Sequence, residues 1–149
     1  MTLAQNARTF AVALAMLAAW SLSAPADAPP TPARRVVACY FHRIVRCPTC
    51  QKVGSSLEET IKRSFPAELS SGRLEWRMMD FQDPRNASFA AAFGVTGPSF
   101  ILMDVRDNRV VGWKPAPKAW SLISDPASFS RYVQSEVQSF LGVQATAAR

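Results

Sequence analysis

The chain has 149 residues, of which 48% are apolar and 19% charged, with a formal net charge of +6. This length suits one folded domain with a single core. The lysines and arginines are scattered, without a basic block or a basic stripe interleaved with aromatic residues. Nucleic acid is therefore not an expected partner.

The first 26 residues have the order of a secretory signal peptide. Met1–Thr9 is polar with one cation, Phe10–Trp20 is almost entirely apolar, and small residues lead to cleavage sites after Ser23 or Ala26. The 11 residues of the apolar run fall short of the roughly 20 needed to span a bilayer. The sequence therefore predicts export to the periplasm or the medium, with no transmembrane span in the mature form. An uncleaved N-terminal membrane anchor is the alternative.

The folded domain is predicted over residues 34–142, between a Pro-rich spacer at 27–33 and a flexible tail at 143–149. Its first strand, Arg34–His42, is apolar without strict alternation, which is typical of a strand buried on both faces. An amphipathic helix ending near Pro66 follows. Its apolar stripe recurs every four residues, as Val53, Leu57, Ile61 and Phe65.

The second half of the domain supplies the rest of a sheet. Its predicted elements are a strand at Leu74–Phe81, a helix beginning at Asp83-Pro84 and ending at Gly94, strands at Ser99–Val105 and Arg109–Trp113 joined by an Asp107-Asn108 turn, and a last helix at Ala127–Leu141. The order βαβαββα predicts an α/β fold with a mixed four-stranded sheet flanked by helices.

Two of the three cysteines form the motif Cys47-Pro48-Thr49-Cys50. The loop after the first strand brings Cys47 to the start of the next helix, where free backbone N–H groups and the helix dipole stabilise a thiolate. Pro48 fits the first helical turn. Cys50 lies one turn further on, where it can attack a mixed disulfide at Cys47. The pattern predicts a redox-active dithiol that cycles through a Cys47–Cys50 disulfide.

Three further residues support this predicted site. Arg43 and Arg46 would add positive charge near the Cys47 thiolate. His42 ends the first strand, and either it steadies that thiolate or its ring is satisfied by backbone or water; the second interpretation is preferred.

The element order, the Cys47–Cys50 motif and Gly97-Pro98 before the third strand resemble the thioredoxin superfamily over nearly all of residues 34–141. That resemblance implies a thioredoxin-like fold in which Pro98 is cis and lies beside the disulfide at the partner-binding edge. Unlike ordinary thioredoxins, the chain has Arg46 instead of tryptophan before Cys47. Its first strand also offers no buried acid to accept the Cys50 proton.

A narrower resemblance concerns a bacterial family described as nitrophenyl compound nitroreductase subunits and associated with arsenic-type gene clusters. It rests on Tyr40–His42 followed by Arg46–Cys50, on Arg73–Trp76, and on the pair Trp113 and Trp120. The resemblance implies redox work, either disulfide exchange with a protein partner through a mixed disulfide or electron delivery to a reductase.

Metal binding is the main competing interpretation, because Cys39, His42, Cys47 and Cys50 are all potential zinc or copper ligands. Cys39 and His42, three apart on a strand, project to opposite faces. Cys39 is therefore predicted to be a buried core residue, and neither a metal nor a cofactor is expected. Gln51 stands where covalent haem attachment needs histidine. A two-thiolate Cu(I) or As(III) module and an adaptor with an inert disulfide remain alternatives.

Overall fold

The computed structural model describes residues 32–146, with side chains as far as residue 142. The predicted signal peptide, residues 27–31 of the spacer and residues 147–149 lie outside the described residues. Within the described range, no helix has both the length and the apolar character needed to cross a membrane.

Four strands form one mixed sheet across residues 32–146. They are β1 (Arg34–His42), β2 (Leu74–Asp80), β3 (Ser99–Arg106) and β4 (Arg109–Pro115), in the spatial order β2-β1-β3-β4. β1 is parallel to β2 and antiparallel to β3, and β3 is antiparallel to β4. The predicted mixed four-stranded sheet, with its last two strands joined as a hairpin, is confirmed. The hairpin turns through Asp107 and Asn108, whose φ angles are 49° and 60°.

Five helices accompany this sheet in the described range. They are α1 (Pro48–Ser64), α2 (Pro66–Ser70), α3 (Pro84–Ala92), α4 (Lys118–Ser121) and α5 (Pro126–Thr146). Asp83 caps α3 by accepting the Arg85 N–H at 2.9 Å, and Gly94 follows that helix with a φ of 63°. Both ends of α3 therefore carry the residues that the sequence indicated.

The central strand β1 is buried on both faces, as its apolar sequence predicts. Val36, Ala38 and Tyr40 face a core shared with α1 and α5. Val37, Cys39 and Phe41 face a second core that α3 covers. Because the side chains of a strand alternate, β1 has to be apolar along its length to serve both cores.

Several element boundaries differ from those predicted. Pro66 does end α1 but also begins α2, since proline is well suited to a first helical position. After β4 the chain forms the short helix α4. The last helix extends to Thr146, beyond its predicted end at Leu141. Gly142 does not end α5, because one glycine disfavours a helix by only about 1 kcal/mol.

Candidate active site

The predicted redox motif lies where β1 gives way to α1. β1 ends at His42, and α1 begins at Pro48. Cys47 is the N-cap of α1: its backbone is extended, with φ −67° and ψ 159°, and its Sγ accepts the Cys50 N–H at 3.2 Å. A cysteine sulfur here does the work of the usual Ser or Asp oxygen. The structure contains both cysteines as free thiols, so it describes the reduced form of the pair.

The two thiols are electrostatically different. A hydrogen bond from the Cys50 side chain and N–H groups of the first helical turn lower the pKa of Cys47, which is exposed. The same thiol–thiol hydrogen bond and partial burial raise the pKa of Cys50. Because thiolates are the nucleophiles in disulfide exchange, this asymmetry suits Cys47 to attack first and Cys50 to act second.

Sequence reasoning missed Tyr40 as a residue of this site and assigned it only to a buried strand. Its side chain is fully buried, and its Oη–H donates to the Cys50 carbonyl at 2.9 Å. Burial raises the pKa of Tyr40 to about 12, and the neighbouring Cys50 is the next cause. A phenol that stays protonated at neutral pH is a lasting hydrogen-bond donor and not a base. Tyr40 therefore does not replace the acid missing from β1 as a proton acceptor.

Gly54 allows α1 to lie directly on the Tyr40 ring. A Cβ atom on Gly54 would stand 2.9 Å from Cε1 of Tyr40, closer than carbon atoms pack. On another side of the ring, the Trp120 ring centroid is 5.8 Å away. The sequence signal for this arrangement is a glycine inside the helical pattern, which often marks a close packing contact.

The loop between His42 and Cys47 is held by backbone hydrogen bonds but has exposed side chains. Gln82 Oε1 accepts the Ile44 N–H at 3.4 Å, and Gln51 Nε2 donates to the Arg46 carbonyl at 3.2 Å. Ile44 and Val45 are nevertheless 71% and 84% exposed. Two aliphatic side chains thus lie in solvent in the loop that leads to Cys47.

The predicted cationic support for Cys47 is not what lowers its pKa most. The Arg43 guanidinium lies 5.9 Å from the centroid of the Phe81 ring. The Arg46 charge acts on Tyr40, whose pKa it lowers against the larger effect of burial. Hydrogen bonds within the first turn of α1 are the leading causes of the Cys47 shift.

The other two candidate ligands, His42 and Cys39, lie in different surroundings. His42 Nδ1 is 3.0 Å from the Arg43 carbonyl oxygen, which identifies it as a donor to the backbone, as preferred from the sequence. Cys39 is fully buried in the second core, and burial raises its pKa to about 12. The prediction of a core cysteine is confirmed. Among the described residues, no three His, Cys, Asp or Glu side chains group as metal ligands.

Pro98 lies at the expected end of the sheet, but its peptide bond is not cis. Ser99 pairs with Phe41, which places Pro98 beside the strand end that leads to Cys47. The described residues include no cis peptide bond, so the cis prediction is wrong. The Gly97–Pro98 turn is closed by Ser99 Oγ, which donates to the Gly97 carbonyl at 2.9 Å. A trans bond is the lower-energy isomer by about 0.5–1 kcal/mol where the chain path does not oppose it.

Pro98 also forms the rim of an apolar groove. The groove has a volume of about 260 Å³ and is lined by Pro98, Ser99, Phe100, Pro115, Pro117 and Trp120. Trp120 is also the residue that packs on Tyr40. The groove is therefore adjacent to the aromatic pair that supports Cys50.

Comparison with protein-family models and with curated proteins finds no match. Among solved structures, the thioredoxin of Fasciola hepatica is similar at 20% identity and a TM-score of 0.38, over 66% of this chain and 81% of that one. The thioredoxin of Trypanosoma brucei brucei shares 14% identity with a TM-score of 0.40, over 70% and 76%. Thioredoxin O2 of Arabidopsis thaliana in its oxidized state shares 12% with a TM-score of 0.39, over 64% and 76%.

The fold class follows from the chain's own topology. A parallel β1–α1–β2 unit carries the cysteine pair at its first turn, and an antiparallel hairpin completes the sheet. This is an α/β thioredoxin-like arrangement, as the sequence predicts. In this fold the Cys47–Cys50 pair lies at the start of the helix that follows β1.

Proposed function

We propose that this protein is an exported thiol–disulfide oxidoreductase that exchanges disulfides with a protein partner or passes electrons to a reductase. The observation that carries the proposal is the Cys47 thiol at the start of α1. It is exposed, has a lowered pKa, and accepts a hydrogen bond from Cys50 N–H. An inert structural disulfide would need none of these properties.

The chemistry uses two successive exchanges. The Cys47 thiolate attacks a partner disulfide, forms a mixed disulfide and releases one partner thiolate, which takes up a proton. The Cys50 thiolate then attacks Cys47 Sγ and releases the second partner thiolate. Two electrons pass from the dithiol to the partner, and the reverse sequence oxidises a partner dithiol.

The surroundings of Cys47 support a macromolecular partner. Ile44 and Val45 offer exposed apolar contact area beside the nucleophile, and contacts of this kind are used in protein interfaces. The narrower family resemblance of Tyr40–His42 and the Cys47 motif supports electron delivery as one form of the same dithiol chemistry.

The reduction potential of the pair tests the proposal. The full chain is equilibrated with glutathione at graded ratios of its thiol and disulfide forms, and the fraction of Cys47–Cys50 disulfide is measured by alkylation and mass spectrometry. We expect a value between about −120 and −270 mV, where known exchangers lie. A potential below about −300 mV is that of an inert structural bond and would contradict the proposal. Cys39→Val is the matched control, because it removes a cysteine outside the site.

Partner trapping tests the protein-partner half of the proposal. Cys50→Ala removes the resolving thiol, so mixed disulfides formed by Cys47 should persist and be recovered from cells. The double variant Cys47→Ala with Cys50→Ala is the control for non-specific capture. Equal recovery from both variants would argue against exchange at Cys47.

A further inference from the structure

Tyr40 joins the central strand to the first turn of α1. Its Oη–H donates to the Cys50 carbonyl at 2.9 Å, although the two residues are ten positions apart in sequence. In an α-helix this carbonyl also accepts the N–H four residues on, which belongs to Gly54. Tyr40 therefore adds a second donor that comes from the sheet. The turn that carries Cys50 is held to β1 by this bond.

The Tyr40 ring has little freedom to move away from Cys50. Gly54 lies so close that a Cβ atom would be 2.9 Å from ring atom Cε1 and 3.2 Å from Cδ1. Trp120 packs at a centroid separation of 5.8 Å. The packing therefore holds the Tyr40 hydroxyl in hydrogen-bonding position to the Cys50 carbonyl.

We propose that Tyr40 is a positioning residue that holds Cys50 ready to close the disulfide with Cys47. The inference rests on the proposed function, because it concerns the second of its two exchange steps. In that step the Cys50 thiolate attacks Cys47 Sγ, the Sγ–Sγ bond forms, and the bond from Cys47 to the partner sulfur breaks. The partner leaves as a thiolate and takes up the proton that Cys50 gave up.

The advantage of such an anchor is preorganisation. A Cys50 already fixed in the reduced protein loses little conformational freedom when the ring closes, whereas a loosely held Cys50 loses more. Removing the anchor therefore lowers the equilibrium constant for forming the Cys47–Cys50 disulfide. It also slows the second exchange step relative to the first.

The experiment compares Tyr40→Phe with Tyr132→Phe in the full chain. The sequence contains two tyrosines, and Tyr132 lies on α5 among the groups around Lys114 and Glu136. The substitution keeps the ring and removes one hydroxyl in each case. The readouts are the equilibrium constant with glutathione disulfide and the rate at which the mixed disulfide with glutathione resolves. Unfolding by urea measures the general loss of stability in both variants.

We expect the equilibrium constant of Tyr40→Phe to fall about fivefold, the factor for one ordinary hydrogen bond, and Tyr132→Phe to match wild type. By the two-electron relation this is a rise of about 20 mV in reduction potential. Gly54→Ala should also lower the equilibrium constant, because the added methyl group displaces the Tyr40 ring from its position. In this variant Tyr40 keeps its hydroxyl group. This second variant therefore tests whether the position of the Tyr40 hydroxyl matters, and not only whether the hydroxyl is present.

The outcomes distinguish a failure of the positioning role of Tyr40 from a failure of the proposed function. A wild-type potential in the exchange range with unchanged values for Tyr40→Phe and Gly54→Ala would overturn the positioning role alone. An equal shift in Tyr132→Phe would do the same, because it would reflect general loosening. A wild-type potential below about −300 mV would overturn the proposed function, whatever the variants show.

Discussion

Cys47 combines two tasks that proteins usually give to different residues. As the N-cap of α1 it satisfies a backbone N–H that the helix leaves without an internal partner. As an exposed thiol it is open to an incoming disulfide. The capping task favours the thiolate, because a negative sulfur is the better acceptor at a helix N-terminus. The exchange task uses the thiolate, because the thiolate is the nucleophile. Structure and reactivity are thus coupled through one atom, Cys47 Sγ.

The pKa asymmetry of the pair predicts an order of alkylation. Since the pKa of Cys47 is lowered and that of Cys50 is raised, Cys47 carries more thiolate at neutral pH and should react first with iodoacetamide. Buried Cys39, with a pKa of about 12, should react only on unfolding. Peptide mapping after short exposures across pH 5–10 would give the order of labelling and the midpoint of Cys47.

The Cys50→Ala variant refines this prediction. It removes the thiol that is the leading cause of the Cys47 shift but keeps the Cys50 N–H. The Cys47 midpoint should therefore rise toward the free-cysteine value of about 8.5 and remain below it. Cys39→Val, a change in the other core, should leave the wild-type midpoint unchanged. Labelling of Cys50 before Cys47 in the wild type would contradict the assignment of roles.

At the level of elements, local sequence patterns predict where strands and helices begin and end, but they do not predict the contacts between elements. The apolar run at Arg34–His42 predicts β1 with its observed bounds. The Asp83-Pro84 signal marks the start of α3, because capping is decided within one helical turn.

The contact between Tyr40 and Cys50 could not be predicted in the same way. It depends on how closely α1 approaches β1, which Gly54 decides. The cis prediction for Pro98 was wrong for a related reason: the isomer depends on the path of the chain around the turn and not on the Gly-Pro dipeptide alone.

The exposed loop before α1 carries a prediction about partner choice. Ile44→Ser combined with Val45→Ser should slow exchange with an unfolded protein that contains disulfides. It should leave the rate with oxidised glutathione near wild type, because a tripeptide has little surface to contact the loop. The paired rates of disulfide reduction measure the effect.

A matched control is available on β4, where Val110 and Val111 are also exposed. Val110 pairs with Val105, and Val105 pairs with Arg35 near the start of β1, at the opposite end of the sheet from the loop. Val110→Ser combined with Val111→Ser should therefore leave both rates unchanged. An equal loss of rate in the two double variants would show a general effect of surface polarity.

At the scale of the whole molecule, the parts of the site come from distant points in the chain. β1 supplies Tyr40, α1 supplies both thiols, and Trp120 from α4 packs on Tyr40. β1 lies between β2 and β3 and is hydrogen-bonded to both, which fixes the strand that carries Tyr40. A fixed Tyr40 matters because the resolving thiol has to stay within reach of Cys47 through both exchange steps.

The compartment sets the resting state of such a pair, so export is the last prediction to test. The full chain with a C-terminal tag, expressed in a bacterial host, should be recovered from the periplasm with an N-terminus at Asp27 or Ala24. Leu14→Arg combined with Leu17→Arg interrupts the apolar run and should keep the chain in the cytoplasm. Arg8→Lys preserves the charge and should be exported normally.

The redox state of the pair gives an independent measure of the same event. In an oxidising compartment the exported protein should carry the Cys47–Cys50 disulfide, whereas the retained variant should hold two thiols. Alkylation under acid quench, followed by mass spectrometry, distinguishes the two. A membrane-bound chain that keeps Met1 would identify an uncleaved anchor, and an unprocessed wild-type chain in the cytoplasm would contradict export. Retention in the cytoplasm would place the dithiol under a reducing poise, so the direction of exchange depends on where the chain is delivered.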